Sequence, residues 1–160
     1  MLILLNIKDY CVDRRKSKFP RMEEWIQTLE DLLKFNVDGS ARGNPCPASI
    51  GGVLKNHLGK TVCFFSEYIG FQDAITTEIR AIARGCEIIK ARPDLAVKRI
   101  EIMSDSKIAV SWINNVGFGS ITRVQTIYDI RKCLEDFGTI TILFCARDFN
   151  MVADQLAKKV

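Results

Sequence analysis

KFNVDGSARGNP, residues 34–45, is the stretch on which the reading of this chain turns. Leu33, Phe35 and Val37 alternate with Lys34, Asn36 and Asp38, the period of a strand with one apolar face. The strand then breaks into Gly, Asn and Pro, and Asp38 is expected at its C-terminal end. Taken alone, an aspartate at such a break is either a polar turn residue or a ligand for a cation. The choice depends on what the rest of the chain brings to the same place.

Downstream the pattern is regular. ASIGGVLKN (48–56) and TVCFFSEYIG (61–70) are β-rich runs joined by the polar HLGK, which predicts a hairpin with His57 facing solvent in its turn. Ile75, Ile79, Ile82, Cys86 and Ile89 recur at helical spacing, and that helix should stop near Pro93. VKRIEIMSD (97–105) reads as a strand, and SKIAVSWINN (106–115) as a helix capped by Ser104 or Ser106. ITRVQTIYDIRKCLEDFG (121–138) is a helix ended by Gly138, TITILFCA (139–146) a fifth strand, and NMVADQLAKK (150–159) a last helix with Asn150 as its cap. Hairpin strands first and alternating strands and helices afterwards predict a mixed sheet, antiparallel at one edge, with helices on its faces.

The chain has 160 residues, 48% of them hydrophobic and 26% charged, which fits one folded domain. Residues 1–32 read differently, as an appendage. CVDRRKSKFPRM (11–22) is a basic linker, and EEWIQTLEDLL (23–33) could form a short helix. The opening MLILLNI is too short to span a bilayer and is a poor secretory signal, so an intracellular protein of nucleus or cytoplasm is expected, with no membrane partner. Six scattered cysteines without a C-x-x-C pair, and a single histidine, argue against zinc and for reduced thiols. The net charge of +4 is a mild bias, compatible with an anionic partner.

Four acids depart from the default of solvated surface charge. Asp38 and Asp105 close two different strands, and in open α/β sheets ligands bind off the carboxyl ends of the strands. Glu78 flanks the apolar stripe of the long helix, where a carboxylate is costly without a partner. Asp154 lies in the first turn of the last helix, where its charge also suits the helix N-terminus. Hard oxygen donors of this kind suit Mg²⁺ or Mn²⁺. Four carboxylates around two ions about 3.5–4 Å apart is the two-metal arrangement for phosphodiester cleavage.

KFNVDGSARGNP, TTEIRAI (76–82), IEIMSDSKIAV (100–110) and RDFNMVADQLAK (147–158) stand in this order, and together they resemble the type 1 ribonuclease H family over residues 33–160. They are most similar to the plant ribonuclease H-like domains related to the reverse-transcriptase-associated domain of retroelements. The resemblance implies an α/β ribonuclease H-like fold, with a five-stranded mixed sheet of three antiparallel and two parallel strands and helices on both faces. It implies cleavage of the RNA strand of RNA–DNA hybrids with two Mg²⁺ ions, for which Mn²⁺ could substitute, and a monomer is expected. By motif, Asp38, Glu78, Asp105 and Asp154 would be the catalytic metal ligands. Gly39, Ser40, Gly43 and Asn44 would contact the nucleic acid, with 2′-hydroxyls as the mark of RNA.

The chain also departs from that pattern. CARDFN carries Arg147 where many members have a histidine, Ala74 and Ile75 replace a polar pair, and only NNVGFGS (114–120) stands where some members have a basic handle helix. Cys46 replaces a glycine, which would strain the loop if the position required a positive φ. These departures touch substrate grip more than metal binding. They keep open a second expectation, a fold-retaining module of retroelement origin that binds nucleic acid or protein with weak or no turnover. Trp112 is expected in the core, and Lys107, Arg123 and Lys132 on a solvated face.

Overall fold

The computed structural model describes residues 32–115 and 123–160. The expected N-terminal linker, most of the helix expected over 23–33, and residues 116–122 lie outside the described residues. Leu32 and Leu33, the expected end of that helix, stand in the first strand instead, because they pair with Arg99 and Ile100. The expected sheet is present. Strands β1 (Leu32–Ala41), β2 (Cys46–Lys55) and β3 (Thr61–Gln72) form an antiparallel meander, and β4 (Arg99–Ser104) and β5 (Ile140–Phe144) run parallel to β1. The spatial order is β3-β2-β1-β4-β5, so β1 is the strand at which the antiparallel half gives way to the parallel half.

Among the described residues, four helices of eight residues or more cover the sheet: α1 (Ala74–Ala91), α2 (Lys107–Asn114), α3 (Val124–Asp136) and α4 (Met151–Lys158). Alternation along the strands divides the core. Phe35, Val37, Ile50, Leu54 and Phe65 pack with Ile79, Ile82, Cys86 and Ile89 of α1, and α2 and α3 extend the same cluster over β4 and β5. Phe35 and Phe65 meet edge to face at 6.0 Å. The opposite face is smaller, with Val53 and Phe64 against Leu156 of α4.

That second face changes two expectations. Lys34, Asn36 and Asp38 read as the polar side of a half-exposed strand, yet Asn36 and Asp38 are buried, at 6% and 4% exposure. The cause is α4, which lies directly on the sheet because Gly51 has no side chain: a Cβ there would stand 2.3 Å from the Ala157 nitrogen. Ser49 and Ser66 donate their hydroxyls to the carbonyls of Ala157 and Leu156, fixing the far end of the helix. Asp38 is also not the last residue of its strand. The β1–β4 ladder ends at Asn36↔Met103, but β2 continues to pair with β1 as far as Ala41↔Ala48.

Smaller corrections follow from the same geometry. Cys46 is the first residue of β2 and no non-glycine residue among those described has a positive φ, so the expected loop strain is absent. His57, in the β2–β3 turn, is half-buried rather than fully solvent-facing. Trp112 is half-buried against the main core, as expected. Arg123 is not a solvated residue: it donates to Thr76 and Asp73 at the start of α1 and lies over the Trp112 ring.

Candidate active site

Each acid reaches the site by a different element. Asp38 comes from the middle of β1, and Asp105 directly follows β4, on the neighbouring parallel strand. Ser106 caps α2 by accepting from the Ala109 N–H, and Ser104 Oγ accepts from the Ser106 N–H, which fixes the bend that carries Asp105. Glu78 arrives on α1. That helix can approach β1 because Gly39 lacks a Cβ, which would stand 2.7–2.9 Å from Thr77 and Glu78 atoms. The Gly39 N–H donates to Glu78 Oε2 at 3.3 Å.

Asp38, Glu78 and Asp105 each offer a carboxylate oxygen, and these oxygens lie within 4.8 Å of one another. An octahedral Mg²⁺ with bonds of about 2.1 Å spaces its ligand oxygens about 3–4.2 Å apart, so shifts below about 1 Å close the triad on one ion. The donor set therefore fits a hard divalent cation in both chemistry and spacing.

Asp154 stands beside this triad. Its carboxyl raises Asp38 by its charge and by a side-chain hydrogen bond, while Lys158 holds its Oδ2 at 2.7 Å. The four acids of the sequence motif thus gather at one place, three of them tightly and the fourth alongside. Arg147, almost fully exposed, places its Nε 3.3 Å from Asp105 Oδ2. Both cations sit on solvent-screened pairs that hold the carboxylates weakly.

The electrostatics of the cluster point the same way. Burial, followed by the charges of Glu78, Asp105 and Asp154, pushes Asp38 up to about 9. Burial and the charge of Asp105 push Glu78 up to about 8, against the pull of the Gly39 N–H and Arg147. Like charges gathered in a partly desolvated place resist ionisation unless a cation joins them. A cluster of acids perturbed by burial and by one another is a candidate functional site.

Of the four residues expected to meet nucleic acid, Gly43 and Asn44 are exposed in the β1–β2 loop, and Gly39 and Ser40 are half-buried between that loop and the acids. Sequence reasoning missed the buried amides of Asn36 and Asn150. Asn150 precedes α4 as expected of a cap, but its side chain makes no cap hydrogen bond. It crosses to β1 instead.

The Reverse transcriptase-like family model matches residues 36–160. A protein of Arabidopsis thaliana named as a candidate ribonuclease H is 30% identical over 145 residues, which is 89% of this chain and 22% of that protein. The chain therefore spans about a fifth of that relative's length. Among solved structures, the LC11 ribonuclease H1 isolated from compost superposes with a TM-score of 0.74 at 26% identity, covering 81% of this chain and 94% of that one. The same enzyme solved with an RNA/DNA hybrid gives a TM-score of 0.73 at 26% identity, over 80% of this chain and 95% of that one.

Proposed function

This chain belongs to the reverse transcriptase-like family, with its ribonuclease H fold, and on that premise we propose that it is a Mg²⁺-dependent endonuclease that cuts the RNA strand of RNA–DNA hybrids. The observation that carries the reading is the convergence of Asp38, Glu78 and Asp105 within 4.8 Å, with Asp154 alongside.

In this reading Asp38 is the central ligand, because its carboxylate faces the other three acids. Asp38, Glu78 and Asp105 would hold one ion, and Asp38 with Asp154 would hold a second. Bound divalent ions at such a site supply charge neutralisation at the scissile phosphate and a water of lowered pKa. The chain's own work is positional. Gly39 lets α1 bring Glu78 to β1, the Ser104–Ser106 bend sets Asp105, and the carboxylates give up their protons as the cation enters.

Substrate contact falls to the β1–β2 loop. Gly43 and Asn44 are exposed in the loop that follows the Asp38 strand, and their backbone amides, with the Asn44 side chain, are suited to hydrogen-bond 2′-hydroxyls, the group that separates RNA from DNA. Ser40 offers a further hydroxyl, while the space beside Gly39 is filled by Thr77 and Glu78 of α1.

The test is selectivity among duplexes of one sequence. With Mg²⁺, the RNA of a hybrid should be cut while duplex DNA stays intact, and replacing the ribose 2′-hydroxyls at the cut site with hydrogen should abolish cleavage. Equal cutting of duplex DNA would refute the substrate assignment.

A further inference from the structure

The Asn36–Asn150 amide pair lies outside the acid set and is more deeply buried than most of it. Asn36 is 6% exposed and Asn150 1%. Asn36 Nδ2 donates to Asn150 Oδ1 at 3.1 Å and to the Phe149 carbonyl at 3.1 Å. Asn150 Nδ2 donates to the Val37 carbonyl at 2.9 Å. The β1–β4 ladder ends at Asn36, so Val37 is the first β1 residue beyond it.

Two buried primary amides are costly unless their partners are placed well, and an apolar pair would close this face as effectively. Asn150 also forgoes the capping bond that its position before α4 invites. The pair is explained better by what it sets than by what it stabilises.

What it sets follows from two spacings. On β1, Asn36 and Asp38 are two residues apart and share a face, a separation of about 6.6–6.8 Å along a strand. On α4, Asp154 follows Asn150 by four residues, and its N–H donates to the Asn150 carbonyl at 3.0 Å. That is one turn, about 6 Å along a helix. The two intervals are nearly equal and begin at a shared hydrogen bond. Joining their origins brings their far ends, Asp38 and Asp154, side by side.

We infer that Asn36 and Asn150 are positioning residues: their amide latch registers α4 against β1 and so sets Asp154 as a partner of Asp38 for a divalent ion. The inference rests on the metal-binding reading above and extends it to two residues that touch no ion. Outer partners of ligands typically tune metal affinity by about 10–100-fold.

The experiment is a double-mutant cycle on Mn²⁺ affinity, followed by the loss of free-ion paramagnetic resonance, with unfolding curves of each variant taken in parallel. Asn150→Ala and Asp154→Asn are each expected to weaken the same binding step about tenfold or more. The double variant is expected to bind no more weakly than Asp154→Asn alone, because the latch acts through Asp154. Losses that multiply in the double variant would overturn the inference, as would an Asn150→Ala protein that is less stable but binds Mn²⁺ like the wild type. Asn36→Val keeps the Asn150–Val37 bond and suits a strand. It supplies the same cycle if Asn150→Ala does not fold. A wild-type protein that binds no Mn²⁺ refutes the metal reading itself and the latch with it. Wild-type binding with an unchanged latch variant refutes the latch alone.

Discussion

Replacing the Asp38 carboxyl by an amide should make the metal-free protein more stable at neutral pH. Asp38 ordinarily titrates near 3.8 and is pushed up to about 9 by burial and by Glu78, Asp105 and Asp154. An acid raised in the fold favours the folded state below its unfolded pKa and withdraws that advantage as pH climbs toward the folded value. At pH 7 the folded chain keeps a proton that the unfolded chain has released. At about 1.36 kcal/mol per pH unit between 3.8 and 7, this costs the fold about 4 kcal/mol. Asp38→Asn has nearly the same shape and no proton to retain. It is expected to gain up to about 4 kcal/mol at pH 7 and under about 1 kcal/mol at pH 4. The assay is urea unfolding at both pH values in the presence of a chelator. Saturating Mg²⁺ should narrow the gap by stabilising only the wild type, by about 2.7 kcal/mol at a hundred times its dissociation constant. An Asp38→Asn protein that is less stable than wild type, or equally stabilised at both pH values, would refute the account of the cluster as a site of stored repulsion.

Other consequences follow from the same geometry. Mg²⁺ affinity should rise steeply from pH 6 to pH 8, since Asp38 and Glu78, at about 9 and about 8, must lose protons for the ion to bind; calorimetry in buffers of different ionisation enthalpy should register that proton release. Gly51→Ala places a methyl group 2.3 Å from the Ala157 nitrogen, so α4 must lift; we expect a loss of about 1–3 kcal/mol in denaturant unfolding, and weaker metal binding through Asp154. Asp73→Ala removes both the α1 cap at Thr76 and the partner of Arg123, and should cost about 1–2 kcal/mol in thermal unfolding.

Much of this site could be read from residue order because its parts stand at the ends or flanks of regular elements. Asp105 follows a β-branched strand, and Glu78 flanks an unbroken apolar stripe on α1, so local periodicity alone picks them out. Asn36 could not be found in that way. A polar residue alternating with Phe35 and Val37 reads as the wet side of a strand, and only α4, 114 residues further along the chain, makes that side dry. Asn150 was visible as a cap but not as a latch, because the cap position and the cross-chain bond call for the same residue type. Arg123 was misplaced for a related reason. Its partners at the start of α1 lie 47 and 50 residues away, beyond the reach of any helical spacing. Contacts set by periodicity were legible, and contacts set by the packing of distant elements were not.

The most direct measurement is cleavage of an RNA–DNA hybrid, labelled on its RNA strand, by the wild-type chain and by Asp38→Asn, each with Mg²⁺, with Mn²⁺ and with chelator. The account predicts that the wild type cuts the RNA with either ion and not with chelator, and that Asp38→Asn, though folded and more stable, cuts with neither. A wild-type protein that leaves the hybrid intact with both ions, or an Asp38→Asn protein that still cuts it, would contradict the assignment of the acid cluster as the catalytic centre.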